Sequence, residues 1–228
     1  TDGWVNADLL HLLRYDGWTF GNNETLSIDP AHWGALIERA QIPFYCGNLQ
    51  IPGGGRWVIP DGEIIERSGV RFGIFGMTAR YEPPFRALGI VAKDPLVSAM
   101  QTAAALRQRG AHIVVMLSHL GLNADQELAE SGIAADIIIG AHTHHFLTEP
   151  VHIGRTWICQ AGKHAHALGQ ISLDISESGQ LRAFSGQLLE VRDDDRPDPD
   201  VLDLLQRYQE TADTWLAAPV TELQEPVT

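Results

Sequence analysis

The stretches HIVVMLSHLG at residues 112–121 and ADIIIGAHTH at residues 135–144 decide the fold of this chain. Each contains an apolar run, at residues 113–117 and 137–139, that is short enough for one strand. Continuous rather than alternating apolar runs are typical of parallel strands that are covered on both faces. Each run passes directly into histidines, namely His119 in the first stretch and the His-Thr-His segment in the second. Because ligands bind beyond the carboxyl ends of such strands, the two stretches predict an α/β sheet with a functional site at that end.

Helices alternate with strands on the amino-terminal side of these stretches. Asp29-Pro30 and Asp94-Pro95 each predict a helix start, with the aspartate as N-cap and the proline in the first turn. Residues 63–66 and 70–75 are predicted strands joined by a Ser68-Gly69 turn. Short strands are also predicted at residues 18–20 and 43–46. This half of the chain therefore has the pattern of an α/β domain.

The carboxyl-terminal side has a different pattern. Residues 156–160, 169–175 and 181–191 predict strands with turns between them, which indicates an antiparallel addition to the sheet. Residues 193–200 hold five acids and two prolines and predict an exposed linker, and residues 201–216 predict an amphipathic helix.

Composition excludes several classes of function. A net charge of −13 argues against a broad nucleic-acid surface. No apolar run approaches the roughly 20 residues of a membrane span. Cys46 and Cys159 lie in apolar stretches, so buried free thiols are expected rather than a disulfide, which favours a reducing compartment such as the cytoplasm. The sequence does not indicate an oligomeric state.

Polar clusters follow three of the predicted strands. They are Gly21-Asn22-Asn23-Glu24, Ser118-His119 and Gly140-Ala141-His142-Thr143-His144. If the last segment is extended, side chains two residues apart share a side, so both of its imidazoles would face one way. Imidazoles combined with the Asn22 amide oxygen suit Zn, Mn or Fe better than Ca, and no thiolate of a structural zinc site is present. Taken singly, a histidine at a strand end is more often a surface or capping residue, and an asparagine after glycine is usually a turn former.

The three clusters in this order resemble the calcineurin-like metallophosphoesterases, in the branch with the 5'-nucleotidases and 2',3'-cyclic-nucleotide phosphodiesterases. That family reads G-N-H-[ED], then a lone histidine after an apolar strand, then G-H-x-H. The resemblance extends over roughly residues 5–191 and implies an α/β/β/α sandwich. It also implies two divalent metal ions (Mn, Zn or Fe), with Asn22, His119 and His142 on one ion and His144 on the other.

In the family the bridging aspartate and the remaining ligands come from D-x-H and G-D motifs on earlier strands. No Asp-X-His precedes Gly21 in this sequence. We therefore expect residues 1–192 to be a partial catalytic domain that is inactive by itself. Residues 193–200 would be a linker, and residues 201–228 a helix and tail leading toward a second domain.

One residue departs from the family pattern. Asn23 stands where the family has the histidine that assists the leaving group, and an amide cannot release a proton at neutral pH. The sequence G-N-N-E resembles a subgroup of the same branch. His145, His164 and His166 are candidates to take over, and His166 is preferred because it closely follows Ala161-Gly162, itself similar to a family segment near the site.

The leading hypothesis is a hydrolase of a phosphate ester, a nucleotide or a related small molecule, with Asn23 and His166 as catalytic residues. The alternative is a non-catalytic phosphate- or nucleotide-binding module with a degenerate site. Asn23, in place of the family histidine, favours this alternative. The choice between monoesters and cyclic diesters is left open by the sequence.

Overall fold

The computed structural model describes residues 3–50 and 62–217 of the chain. The strands are β1 (Leu49–Gln50), β2 (Glu63–Arg67), β3 (Val70–Thr78), β4 (Val91–Ala92), β5 (Ile113–His119), β6 (Ile137–Gly140), β7 (Val151–Ile153), β8 (Thr156–Cys159), β9 (Ala167–Ile175) and β10 (Leu181–Glu190). The helices are α1 (Trp4–Leu12), α2 (Asn22–Ser27), α3 (Trp33–Ala40), α4 (Pro84–Ala87), α5 (Pro95–Gln108), α6 (Leu122–Glu130) and α7 (Pro199–Leu216), with a 3-10 turn at Pro30–His32 before α3.

Within the described residues, the central sheet has the strand order β2-β3-β5-β6-β8-β7. The four inner strands are parallel, and β2 and β7 are antiparallel to their neighbours. In register, Thr78 lies opposite His119, and Ser118 lies opposite Gly140. The carboxyl ends of β3, β5 and β6 therefore meet, at what we call the carboxyl end of the sheet. The opposite end is called the amino end. The predicted α/β class is confirmed.

Two apolar clusters hold the elements together. The larger lies between the sheet and helices α5 and α6, and includes the fully buried side chains of Phe75 and Met116. The smaller joins α1, α3 and the segments that precede α2 and β1. In it the Phe20 ring lies 4.6 Å from Phe44 and 5.4 Å from Trp33 between centroids. Burial of such large rings anchors the loop that enters α2.

Both predicted helix starts are confirmed by their caps. Asp29 accepts a hydrogen bond from the Ala31 N–H at 2.9 Å, and Asp94 accepts one from the Val97 N–H at 3.0 Å. Each aspartate satisfies a backbone donor that lacks a partner inside the helix.

The predicted strands at residues 18–20 and 43–46 are wrong. These segments are joined through a single bridge between Trp18 and Phe44. The ladder cannot lengthen because the chain turns into α2 directly after Gly21. Strand β7, which pairs with β8, was not predicted.

The strands predicted in the second half are confirmed, but the predicted antiparallel addition to the sheet is wrong in two respects. Strand β8 pairs in parallel with β6 inside the central sheet, and β9 and β10 form a separate antiparallel hairpin. Beyond the hairpin, α7 packs on α1, where the Tyr208 hydroxyl donates to Asp8 at 2.7 Å. In the part of the chain that the structure describes, no helix combines the length and apolar character needed to span a membrane.

Candidate metal centre

Three polar side chains converge at the carboxyl end of the sheet. Asn22 is the first residue of α2, His119 is the last residue of β5, and His142 lies in the loop after β6. The Asn22 Oδ1 atom accepts hydrogen bonds from His119 Nε2 at 2.8 Å and from His142 Nδ1 at 3.1 Å. The two imidazole centroids are 5.0 Å apart. Residues far apart in the sequence thus point one oxygen and two nitrogens at a common position.

Gly21 makes the approach of Asn22 to His119 possible. A Cβ atom at Gly21 would lie 2.5–2.9 Å from three atoms of the His119 ring. The Gly21 N–H donates to the Glu24 carboxylate at 2.8 Å, which fixes the start of α2. The glycine is therefore required for close approach rather than for an unusual backbone conformation.

Burial and neighbouring charge keep His119 neutral. Burial, together with smaller contributions from the neighbouring His142 and His144, lowers the pKa of His119 to about 4. Its ring is therefore uncharged at neutral pH. An uncharged imidazole can use a nitrogen lone pair to bind a metal ion.

His142 is held on both sides of its ring. Besides the bond from Nδ1 to Asn22, its Nε2 atom lies 3.1 Å from the Tyr81 hydroxyl. In the neutral tautomer with a proton on Nδ1, Nε2 accepts this bond from the Tyr81 O–H. If Nδ1 instead binds a metal ion, the proton lies on Nε2, which then donates to the Tyr81 hydroxyl oxygen. Such a bond from the second nitrogen usually fixes the ring of a metal-binding histidine. Tyr81 was not predicted.

The His-Thr-His loop is not extended, so that part of the prediction is wrong. His142 and His144 have φ angles of 69° and 57°, in the left-handed region. Gln160, which is only 2% exposed, forms hydrogen bonds to the backbone of this loop. Its side chain donates to the Ala141 carbonyl at 3.0 Å and accepts from the His145 N–H. These bonds to one buried amide impose the conformation.

A buried carboxyl group lies beneath the same loops. Asp125 of α6 is fully buried and accepts a hydrogen bond from the Ser118 hydroxyl next to His119. Its other oxygen has no hydrogen-bond partner within the described residues. Burial raises the pKa of Asp125 to about 6.

The structure brings one of the two predicted catalytic residues to the cluster. Asn22 Nδ2 donates to Asn23 Oδ1 at 3.4 Å, so Asn23 lies beside it on the exposed side. His166 is exposed, and no hydrogen bond among residues 3–50 and 62–217 connects it to Asn22, His119 or His142. Its ring contacts that of His164 at 6.2 Å between centroids. The catalytic roles of Asn23 and His166 stay predictions.

The Asn22 oxygen and the His119 and His142 nitrogens could supply part of the ligand set of a metal ion. The described residues contain no group of three or more His, Cys, Asp or Glu side chains arranged to hold a metal ion. What converges is two imidazoles and an amide oxygen, with no carboxylate or thiolate among them. Such a set suits Zn, Mn or Fe and gains strongly from a carboxylate. The metal-binding roles of Asn22, His119, His142 and His144 stay predictions.

Asn48 was also missed by the sequence analysis. It is fully buried and clamps the end of β3, donating to the Thr78 carbonyl at 2.8 Å and accepting from the Thr78 N–H at 3.0 Å. Asn48 and Gln160 both follow apolar segments, so the rule that found His119 could have found them. That rule searches for polar residues at the ends of predicted strands.

Known proteins resemble this chain in both sequence and fold. The uncharacterized metallophosphoesterase YunD of Bacillus subtilis is 32% identical over 177 residues, covering 77% of this chain and 38% of YunD. An apyrase of Tabanus yao is 28% identical over 234 residues, covering 90% of this chain and 41% of the apyrase. The 5'-nucleotidase precursor of Thermus thermophilus superposes with a TM-score of 0.78 at 20% identity, over 96% of this chain and 48% of that one. No protein-family model matches the chain.

The predicted resemblance is confirmed, because the relatives include proteins named as a metallophosphoesterase and a nucleotide phosphoesterase, and one similar solved structure is a calcineurin-like phosphoesterase of Bacillus subtilis. Within that class its relatives lie in the branch that contains the 5'-nucleotidases. The chain spans about two fifths of the length of the first two relatives.

Proposed function

We propose that the chain forms part of a metal-dependent phosphoester hydrolase that acts on nucleotides or related small phosphate esters through a dinuclear site. In this proposal Asn22, His119 and His142 hold one divalent ion, and His144 holds the other. The observation that carries it is the convergence of the His119 and His142 nitrogens on the Asn22 oxygen, at 2.8 and 3.1 Å.

The chain's own groups would hold the metal ions and orient the ester. The neutral His119 ring offers a lone pair at physiological pH, because its pKa lies near 4. Tyr81 and Gln160 keep the His142 loop in one arrangement. When bound, the divalent ions supply positive charge that a chain with a net charge of −13 otherwise lacks.

Asn23 would bind the phosphate rather than protonate the leaving group. Its amide N–H can donate a hydrogen bond to a phosphate oxygen but cannot release the proton. General acid assistance is worth roughly 10²–10⁴-fold when the leaving group is poor. Unless His166 supplies a proton, the enzyme should therefore hydrolyse aryl phosphates better than nucleoside monophosphates.

The names of the relatives support the nucleotide part of the proposal, since they include an apyrase and a probable 5'-nucleotidase. Hydrolysis of an aryl phosphate and of AMP by the complete protein with Mn²⁺ tests it. His142→Ala should reduce both rates at least about 100-fold, as loss of a metal ligand does. His32→Ala removes an exposed imidazole in the turn before α3 and should change neither rate.

The outcome of that experiment separates the two hypotheses. Phosphate binding without turnover of either ester would favour the non-catalytic module. Replacing Asn23 with His then tests the departure from the family pattern. It should raise the rate on AMP more than on the aryl ester, and it should add an ionisation near pH 6.5 to the pH profile.

A further inference from the structure

A second groove lies at the amino end of the sheet, opposite the histidine cluster. It encloses about 640 Å³, within the range of small-molecule sites. One wall comes from the beginning of β8, and another from the tip of the β9–β10 hairpin. Gly179 at that tip lies against the His112 ring with no room for a side chain. The hairpin tip therefore packs against the segment that leads into β5.

Cationic groups dominate the groove. Arg107, Arg155 and Arg182 line it, and Asp136 is the acid among its lining residues. Arg107 is committed to Asp136 and to backbone carbonyls, so it serves the fold. Arg155 also forms an ion pair with Asp136, with 2.9 Å between the guanidinium nitrogen and the carboxylate oxygen, and 53% of its side chain is exposed. Across the described parts of the chain, Arg182 has no ion-pair partner. Two guanidinium groups are thus available to an anion.

Aromatic rings form a parallel stack in the same groove. His152 and Trp157, a cross-strand pair of β7 and β8, stack at 3.9 Å between centroids and 6° between planes. Trp157 stacks on Phe184 of β10 at 4.4 Å, again at 6°. His152 is the exposed member that ends the stack. A flat ring of a ligand could extend this stack, as bases do on aromatic side chains.

We propose that the groove binds an anion joined to a planar ring, the chemistry of a nucleoside monophosphate. Arg155 and Arg182 bind the phosphate, since guanidinium groups match its oxygens in pairs. His152 stacks on the base. The site is separate from the metal centre and does not depend on the proposed function.

Calorimetric titration of the complete protein with AMP, in the presence of EDTA, tests the proposal. The chelator removes divalent ions from the histidine cluster, so its contribution to phosphate binding is lost. The groove predicts saturable binding that persists in the His142→Ala variant. Arg182→Gln should weaken it about ten-fold, the value of one charge-assisted hydrogen bond. Because Arg182 has no ion-pair partner in the described residues, this change should not affect folding.

Two further variants separate the contribution of the groove's own charge from that of ring stacking. Arg196→Gln makes the same charge change in the acidic segment before α7, outside the groove, and should leave AMP affinity unchanged. His152→Ala should weaken AMP several-fold but leave the affinity for inorganic phosphate unaltered. The proposal is overturned if AMP fails to bind, if Arg196→Gln weakens binding as much as Arg182→Gln, or if His142→Ala abolishes binding.

Discussion

A buried aspartate lies at each end of the central sheet, and the two differ in how completely their carboxylate oxygens are hydrogen-bonded. At the amino end, Asp136 accepts hydrogen bonds from Arg107, from Arg155 at 2.9 Å and from the Val114 N–H at 2.7 Å. At the carboxyl end, Asp125 has the Ser118 hydroxyl as its hydrogen-bond donor, and its second oxygen is unpaired within the described residues.

This difference separates a buried aspartate whose charge is paired by the fold from one whose pairing is incomplete. A buried charge with several partners ties strands together, whereas incompletely paired polar groups are tolerated mainly where function requires them. The convergent Asn22, His119 and His142 lie at the end with the incompletely paired acid. Changes to the ion pairs of Asp136 should therefore alter stability, and changes around Asn22, His119 and His142 should alter metal binding.

The largest effect on stability is expected from Arg107→Ala. It leaves Asp136 buried with a single, half-exposed cation, and breaking a buried ion pair costs about 3 kcal/mol or more. Urea unfolding should show this loss, while Mn²⁺ affinity should not change. Arg109→Ala, which removes an exposed guanidinium near the end of the same helix, is the control for stability. Loss of Mn²⁺ affinity in the folded Arg107→Ala protein would break the comparison.

Gly21→Ala should lower Mn²⁺ affinity rather than stability. The added methyl group would collide with the His119 ring, at 2.5–2.9 Å, and displace it from Asn22. We expect Mn²⁺ affinity to fall about 100-fold, as when the partners of a metal ligand are disturbed. Gly169→Ala places a methyl group on β9 at an ordinary contact distance and should leave Mn²⁺ affinity unaltered. Equal affinities in the two variants would show that His119 is not a ligand.

A smaller change is expected from Tyr81→Phe. It removes the hydroxyl that contacts His142 Nε2 but keeps the ring packed against Phe85. Mn²⁺ affinity should fall about ten-fold, with unchanged unfolding free energy. Tyr15→Phe, on an exposed ring, is the matched control. An unchanged Mn²⁺ affinity would mean that the Tyr81 hydroxyl does not position His142.

A further prediction concerns the dependence of stability on pH. The pKa of Asp125 is about 6 in the folded chain and 3.8 in the absence of burial, so the folded state retains a proton that the unfolded state loses. Its contribution to stability is therefore full below pH 3.8 and is lost as the pH rises toward 6. Asp125→Asn should flatten stability against pH in this window. Asp203→Asn, at an exposed position of α7, should leave the dependence of stability on pH unaltered. If both variants showed the same slope of stability against pH, Asp125 would not be the source of that slope.

How far the sequence predicts this molecule depends on whether a feature is local. The apolar runs of β5 and β6 and the capped starts at Asp29 and Asp94 are local patterns, and all were predicted. The convergence of His119 and His142 followed from the rule that parallel strands end together. Asn22 reaches them from the start of α2 rather than from a strand end.

Features set by distant partners were missed. The left-handed backbone of His142 and His144 depends on bonds from Gln160, on another strand's end. Tyr81 reaches His142 from a loop after β3 that carries no recognisable motif. The short pairing at Trp18 and Phe44 reflects the early start of α2 and the aromatic cluster beneath it. No local pattern encodes these long-range contacts.

The central claim is that Asn22, His119 and His142 bind the same metal ion. Paramagnetic broadening of imidazole ¹⁵N signals by substoichiometric Mn²⁺, in the complete protein, measures it directly. We expect the His119 and His142 signals to broaden first. Asn22→Ala should remove this selectivity, and the exposed His32 should stay sharp throughout. Broadening of His32 as strong as that of His119, or sharp His119 and His142 signals at saturating Mn²⁺, would contradict it.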